Sequence, residues 1–180
     1  MKAPQIIALA ATLCFSAALS PVLKAQQNED PDLTYATDLL KVGTKAPDFT
    51  VGDINRNEVT FSKISKKKYV LLDFWATWCP DCRAEVPEMK RLHEKYGDKV
   101  LFVGISMDTK EDQWKKYVAD NDMDWLQLSE LKKWKQGTVV PELYNVHWIP
   151  TVYIIDSKGK VLLGTVVLSK VEATLKEICE

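Results

Sequence analysis

The sequence predicts an α/β fold in which a central mixed β-sheet is flanked by helices. Two almost continuous apolar runs, Tyr69–Trp75 and Val100–Ser106, are typical of central strands buried on both faces. Between them, apolar residues recur every three or four positions over 80–96, which indicates an amphipathic helix that stops at Gly97. A second helix, a hairpin and a closing helix follow, and this order of elements implies a mixed sheet with helices on both faces.

The remaining elements are shorter and are taken in chain order. Two β-like runs at 49–51 and 59–61 predict an N-terminal hairpin. A helix over 111–119, with Trp114 and either Tyr117 or Val118 facing inward, and a strand over 125–128 form an αβ insert after the second central strand. The carboxyl-terminal part is predicted as a short helix, a hairpin and a final helix, at 141–144, 151–167 and 170–179.

Composition indicates one soluble domain without an unusual charge balance. The chain has 180 residues, 46% of them apolar and 27% charged, which allows one sizeable core. The formal net charge of −1 gives no reason to expect nucleic acid or an anionic membrane surface as a partner. The lysine run at 66–68 is interpreted as a solvated turn.

The first 25 residues have the pattern of a secretory signal peptide. Lys2 precedes an uncharged stretch over 6–20, and small and polar residues follow. A membrane span needs about 20 residues, and this stretch is shorter, so a cleaved signal is expected. A retained membrane anchor, or a lipid on Cys14, is the alternative. Residues 26–41 are predicted to be a polar linker, and 42–180 the folded domain.

Cys79 and Cys82 form the motif that carries the chemistry. They stand three residues apart where the first central strand meets its helix, and Pro80 between them suits a helix start. Backbone N–H groups and the helix dipole favour a thiolate at Cys79, whereas Cys82, one turn inside and more buried, is suited to resolve a mixed disulfide. A structural disulfide and a zinc site are the alternatives. Zinc would need further ligands, and Cys14, Cys179, His93 and His147 are not at ligand spacing.

The residues around this motif resemble the thioredoxin superfamily. The segment Leu72–Cys82, with the sequence LDFWATWCPDC, is similar to its active-site segment, and Pro87 matches its helix-kinking proline. The segment 144–151 resembles its cis-proline loop. The opening VGTKAPDF over 42–49 and the extra segment 108–140 are similar to the exported TlpA/ResA-like branch. The resemblance spans 42–180 and implies a thioredoxin fold with a redox-active disulfide between Cys79 and Cys82.

The resemblance also implies roles for two acids. Asp73 lies in an apolar run, at the position of the buried acid that shuttles a proton for the inner cysteine. Burial should raise the pKa of its carboxyl, so that it can serve as a base near neutral pH. Glu85 matches a glutamate that TlpA/ResA-like proteins carry near the dithiol. Which acid handles the proton is open, and for each the alternative is a residue that reaches water.

A substrate-binding surface is expected around the dithiol. Pro150 should be cis and should leave Ile149 free to pair with a substrate strand. Trp78 and Trp148 would form an apolar docking rim on either side of the sulfurs. Three further side chains are notable, two of which have more than one interpretation. His147 either contacts substrate or is merely exposed, Cys179 is either a small buried hydrophobe or a reactive thiol, and His93 is expected at the surface.

The sequence therefore predicts an exported thiol–disulfide oxidoreductase of the periplasm or cell envelope that needs no cofactor and no metal. Asp81 opposes thiolate formation at Cys79, which favours a reductant of disulfides in other exported proteins. The family resemblance suggests apocytochrome c as one candidate substrate. A membrane protein of thiol-relay type would recharge it. A peroxidase is the first alternative, because peroxiredoxins share the opening at 46–49; Leu72 and Ala76 stand where their motif has proline and threonine. A dithiol carrier of copper(I) is the second.

Overall fold

The computed structural model describes residues 29–180, and the signal segment predicted over 1–25, with Cys14, lies outside the described residues. Within the described part, one mixed sheet has the strand order β2-β1-β5-β4-β3-β6-β7. Its strands are β1 Thr50–Asp53, β2 Glu58–Thr60, β3 Tyr69–Trp75, β4 Val100–Ser106, β5 Leu126–Ser129, β6 Thr151–Ile155 and β7 Val161–Thr165. The helices are α1 Asp32–Tyr35, α2 Phe61–Ile64, α3 Pro80–Tyr96, α4 Glu111–Asp120, α5 Val140–Leu143 and α6 Leu168–Cys179. The predicted mixed sheet flanked by helices is confirmed.

Strand β3 lies at the centre of the sheet and delivers the chain to the dithiol. It pairs parallel with β4 and antiparallel with β6, so Asp73 stands opposite Gly104 on one side and Val152 on the other. Its residues from 70 to 75 are all buried, as the apolar run predicts. Strand β3 and the parallel strand β4 both begin and end at the predicted residues.

Helix α3 follows β3 and also has the predicted limits. The periodic apolar positions turn inward, and the buried residues are Cys82, Val86, Met89, Leu92 and Tyr96. Pro87 lies inside the helix, and the N–H of Gly97 donates to the carbonyl of His93 at the carboxyl-terminal end. His93 differs from its prediction. It is half-buried, and its Nδ1 is 3.1 Å from the Asp124 carboxylate. Its ring packs against Phe102 of β4 and against Trp125, because this side of α3 faces the sheet.

The αβ insert is present after β4. Trp114 and Val118 are the buried side chains of α4, while Tyr117 is half-buried with its ring centroid 5.7 Å from that of Trp75. Strand β5 begins at Leu126 rather than at Trp125, which is buried all the same. No helix within residues 29–180 has both the length and the hydropathy required to cross a membrane.

The described part of the predicted linker differs from a tether. Residues 29–41 contain helix α1 and pack on the rest of the chain. The Asp32 carboxylate accepts hydrogen bonds from the Thr165 hydroxyl, at 2.7 and 2.8 Å, and from the N–H of Val166. The Leu40 N–H donates to the Tyr153 hydroxyl at 2.9 Å. This segment is therefore held to β6, to β7 and to the turn after β7.

Candidate active site

The two cysteines lie at the start of α3, directly after the end of β3. They form the predicted disulfide, with their Cα atoms 5.3 Å apart. Cys79 is the N-cap residue of α3, and its Sγ accepts a hydrogen bond from the N–H of Cys82 at 3.1 Å. The same N–H and the helix dipole would stabilise a Cys79 thiolate once the disulfide is reduced.

Burial alone does not distinguish the two sulfurs, contrary to the prediction that Cys82 is the more buried. Cys79 is 5% exposed and Cys82 is 4% exposed. Their surroundings differ instead. Cys79 Sγ lies 3.9 Å from the carbonyl oxygen of Ile149, at the outer loop, whereas Cys82 lines a small cavity beneath it. The reason is geometric, since the N-cap residue lies outside the helix while its partner one turn in faces the core.

The loop opposite the dithiol contains the predicted cis-proline. The Ile149–Pro150 peptide bond is cis, and Pro150 lines the same cavity as Cys82. The Thr151 hydroxyl donates to the carbonyl of Trp148 at 2.7 Å, which joins the loop to the start of β6. Ile149 has a buried side chain. Within residues 29–180 its N–H donates no hydrogen bond, so pairing with a substrate strand stays a prediction.

The cavity beneath Cys82 brings both predicted acids together. Asp73 and Glu85 line it, and its volume of about 10 Å³ is sufficient for one water molecule. Burial, and secondarily the charge of Glu85, raise the pKa of Asp73 to about 8. Burial, and then the charge of Asp81, raise the pKa of Glu85 to about 7. Both carboxyls can therefore exchange a proton near neutral pH, and no basic side chain lines the cavity.

Aromatic side chains surround the dithiol at the surface. Trp78 is 55% exposed and Trp148 is 40% exposed, as expected for a docking rim. Trp78 packs against Trp134 with 6.2 Å between ring centroids, and Trp148 stacks on Tyr35 at 4.2 Å. Neither contact follows from the sequence pattern. His147 is exposed beside this rim, so its contact with substrate stays a prediction.

Asp108 is a buried carboxylate that was not among the predicted site residues. It accepts hydrogen bonds from the Thr77 N–H at 3.0 Å, from the Thr77 hydroxyl at 2.6 Å and from the Ser106 hydroxyl at 2.7 Å. Thr77 stands two residues before Cys79, so Asp108 fixes the approach to the dithiol. Polar residues that directly follow the parallel strand β4 were the available signal, because parallel strands end at the same edge of a sheet.

Cys179 is remote from the dithiol. Cys179 is half-buried at the opposite end of α3, where its carbonyl accepts from Lys99, and burial raises the pKa of its thiol. Within residues 29–180, no three side chains of histidine, cysteine, aspartate or glutamate converge in an arrangement that could hold a metal ion.

Comparison with known proteins places this site in a family. The pattern of the AhpC/TSA family matches residues 42–163, which is more than half of the chain. The chain belongs to the AhpC/TSA family. This AhpC/TSA protein is 35% identical over 139 residues to the thioredoxin-like protein YneN of Bacillus subtilis, with 76% of this chain and 79% of YneN covered. It is 31% identical to the thiol-disulfide oxidoreductase ResA of Bacillus cereus, with 77% of this chain and 79% of ResA covered.

Solved structures agree with these relatives. The thioredoxin domain of a thiol-disulfide oxidoreductase from Bacteroides vulgatus superimposes with a TM-score of 0.70 at 29% identity, covering 78% of this chain and 99% of that one. A thiol:disulfide interchange protein DsbE from Chlorobium tepidum gives a TM-score of 0.66 at 32% identity, covering 77% and 96%. The fold of this AhpC/TSA protein is thus the thioredoxin fold, and the protein is a thiol–disulfide oxidoreductase that carries the Cys79–Cys82 disulfide.

Proposed function

We propose that this oxidoreductase works as a reductant of disulfides in other exported proteins. The observation that carries the proposal is the concentration of acids around the two sulfurs. Asp81 is exposed in the first turn of α3 beside Cys79, and two carboxyls line the cavity beneath Cys82. Negative charge opposes thiolate formation and so removes a stabilisation of the reduced enzyme. A less stable dithiol gives up its electrons more readily.

The proposed reaction has two thiol–disulfide exchanges. The Cys79 thiolate attacks one sulfur of the substrate disulfide, which forms a mixed disulfide and releases the first substrate thiol. Cys82 then attacks the Cys79 sulfur, which closes the Cys79–Cys82 disulfide and releases the second substrate thiol. The substrate gains two electrons and two protons, and the enzyme loses them.

The second exchange requires a base for the Cys82 thiol, and the cavity supplies two candidates. Asp73 is buried between β4 and β6, while Glu85 is half-buried on α3. Because the pKa of Asp73 is raised to about 8, its carboxyl is mostly protonated at neutral pH and can accept the Cys82 proton only after it has given up its own. Asp73 can pass its proton to Glu85 and then take the Cys82 proton, directly or through a water molecule in the cavity. Because each negative charge disfavours the other, the pair is suited to hold one proton near neutral pH.

Location and partners form a further part of the proposal. Residues 1–25 have the sequence pattern of a secretory signal, which supports export to the periplasm or cell envelope, with a membrane anchor as the alternative. The substrates would be disulfide-containing exported proteins, apocytochrome c among them. The disulfide left after each turnover must be reduced again, and a membrane protein that passes electrons through its own dithiol would do so.

The decisive measurement is the equilibrium between the Cys79–Cys82 pair and glutathione. We expect the disulfide form to predominate even in moderately reducing mixtures. Asp81→Asn should shift this equilibrium towards the reduced enzyme by about two- to fivefold, because one exposed charge is removed. Asp112→Asn makes the same change in the first turn of α4 and should have no effect. A wild-type enzyme that stays mostly reduced in oxidising buffer would overturn the reductase proposal.

Trapping identifies the substrates. In a Cys82→Ser variant the first exchange can occur but the second cannot, so Cys79 should accumulate as a mixed disulfide with its natural partner. Mass spectrometry of the trapped species names that partner. The same variant tests the peroxidase alternative, since consumption of hydrogen peroxide by Cys79 alone at rates comparable to disulfide reduction would favour it.

A further inference from the structure

The loop between β5 and α5, residues 130–139, lies against the rim of the dithiol and is called the insert loop here. Its Trp134 packs on Trp78, next to Cys79. Its Lys135 Nζ donates a hydrogen bond to the carbonyl of His147 at 3.1 Å, two residues before Ile149. The insert loop therefore touches both segments that present the sulfurs to a substrate.

The shape of the insert loop is held by specific contacts. The Glu130 carboxylate, which is almost buried, accepts from the N–H groups of Val139 and Val140 at 2.8 and 3.0 Å and so joins the two ends of the loop. Leu131 and Lys135 have φ angles of 49° and 61°. A left-handed conformation costs an L-residue about 1–2 kcal/mol, so the loop keeps this shape only because its contacts impose it. The surface it offers is preformed.

The charge of the insert loop contrasts with that of the chain. Three lysines lie in four residues, at 132, 133 and 135, whereas the whole chain has a net charge of −1. Lys132 Nζ is 3.8 Å from the Glu130 carboxylate. Within residues 29–180, Lys133 and Lys135 have no carboxylate within 4.0 Å. Trp78, which packs on Trp134, and Val139, at the end of the loop, have exposed side chains.

We propose that the insert loop selects substrates whose reactive cysteine is flanked by acidic residues. This inference rests on the proposed reductase function and names its substrate class. An extended segment lying across Cys79 would place a flanking glutamate or aspartate near Lys133 and Lys135, while Trp78 and Val139 take an adjacent apolar side chain. Lys135 Nζ also lies 4.6 Å from the centre of the Trp134 ring. Positive charge that has no carboxylate partner, beside an aromatic rim, is complementary to an acidic, partly apolar peptide.

The test uses the reduced full-length enzyme and three disulfide-linked peptides that differ only in the residues flanking the cysteine, which are glutamate, glutamine or lysine. We expect second-order rate constants in the order acidic, neutral, basic, and a smaller spread at high salt. Lys133→Glu should lower the ratio of the acidic to the basic rate by about two- to fivefold for each charge pair affected. Lys158→Glu makes the same charge change in the β6–β7 turn, at the opposite end of β6 from Pro150, and should leave the ratio unchanged.

The role of the insert loop and the reductase function can fail separately. Equal rates for the three peptides, or a ratio that responds equally to Lys133→Glu and Lys158→Glu, would overturn the role of the insert loop and leave the reductase function standing. Uncharged hydroxyethyl disulfide provides the separate check. If the reduced enzyme reduces neither this compound nor any peptide, the proposed function itself fails.

Discussion

Replacing Asp73 with asparagine removes the buried carboxyl and keeps its size. In the folded protein the pKa of this carboxyl is raised from 3.8 to about 8, chiefly by burial, so at neutral pH the fold must keep it protonated. Holding that proton at pH 7 costs about 4 kcal/mol relative to the unfolded chain, at about 1.4 kcal/mol for each pH unit above 3.8. Asparagine avoids this cost but brings an amide that needs partners, which offsets about 1–3 kcal/mol.

The sign of the pH dependence follows from proton binding. Because the folded pKa is the higher one, the folded protein binds more protons between pH 3.8 and about pH 8. The contribution of Asp73 to stability is therefore fully present below pH 3.8 and is lost as the pH rises towards 8. The Asn variant lacks this slope. The free energy of unfolding of the variant, relative to wild type, should increase by about 4 kcal/mol between pH 4 and pH 7, whatever the fixed cost of the amide.

Urea unfolding of the disulfide form at several pH values measures this difference, with Asp98→Asn, at an exposed position after α3, as the control for the same chemical change. In the reduced enzyme the variant should also slow the closing of the Cys79–Cys82 disulfide. Parallel stability curves for wild type and Asp73→Asn would refute the reasoning, since they would mean that the carboxyl reaches water in the folded protein.

Three further changes probe the surroundings of the site. Glu85→Gln removes a negative charge that helps to raise the pKa of Asp73, so the pKa of Asp73 should fall. In urea unfolding at several pH values, the loss of stability with rising pH should then end at a lower pH, and the pH midpoint of disulfide closing should also be lower. Asp108→Asn turns an amide donor towards the donors of Thr77, and the free energy of unfolding should fall by about 1–3 kcal/mol, more than for Thr77→Val. Tyr35→Ala should cost about 0.5–1.5 kcal/mol in urea unfolding through the lost aromatic stack and should leave its partner indole more open to acrylamide quenching.

The parts of the fold that sequence could predict are those with local patterns. Strands β3 and β4 are continuous apolar runs and α3 has a clear three- to four-residue period, and for these three elements the predicted limits are the observed ones. The cysteine pair and the cis-proline belong to motifs that span a few residues. Asp108 illustrates a partial signal, because its place just after β4 can be read from the sequence but its partner Thr77, 31 residues away, cannot.

Recognising the two acids of the site required both the sequence pattern and the three-dimensional packing. Sequence marks Asp73 as an acid in an apolar run, but only the packing of α3 over β3 shows that Glu85 reaches the same cavity. The packing of residues 29–41 could not be predicted for a similar reason. Asp32 is separated from its partner Thr165 by 133 residues, and such a contact leaves no periodicity in a short polar segment.

The attachment of residues 29–41 bears on how relatives of this enzyme are compared. The family match begins at Val42, so a chain trimmed to that boundary would retain the dithiol, the acids and the cis-proline. It would lose the ring that covers one face of Trp148 and the carboxylate that binds the end of β7. Trp148 would then offer a wider apolar face beside Cys79. Substrate preferences measured on such a trimmed enzyme would describe a broader specificity than that of an enzyme that keeps residues 29–41.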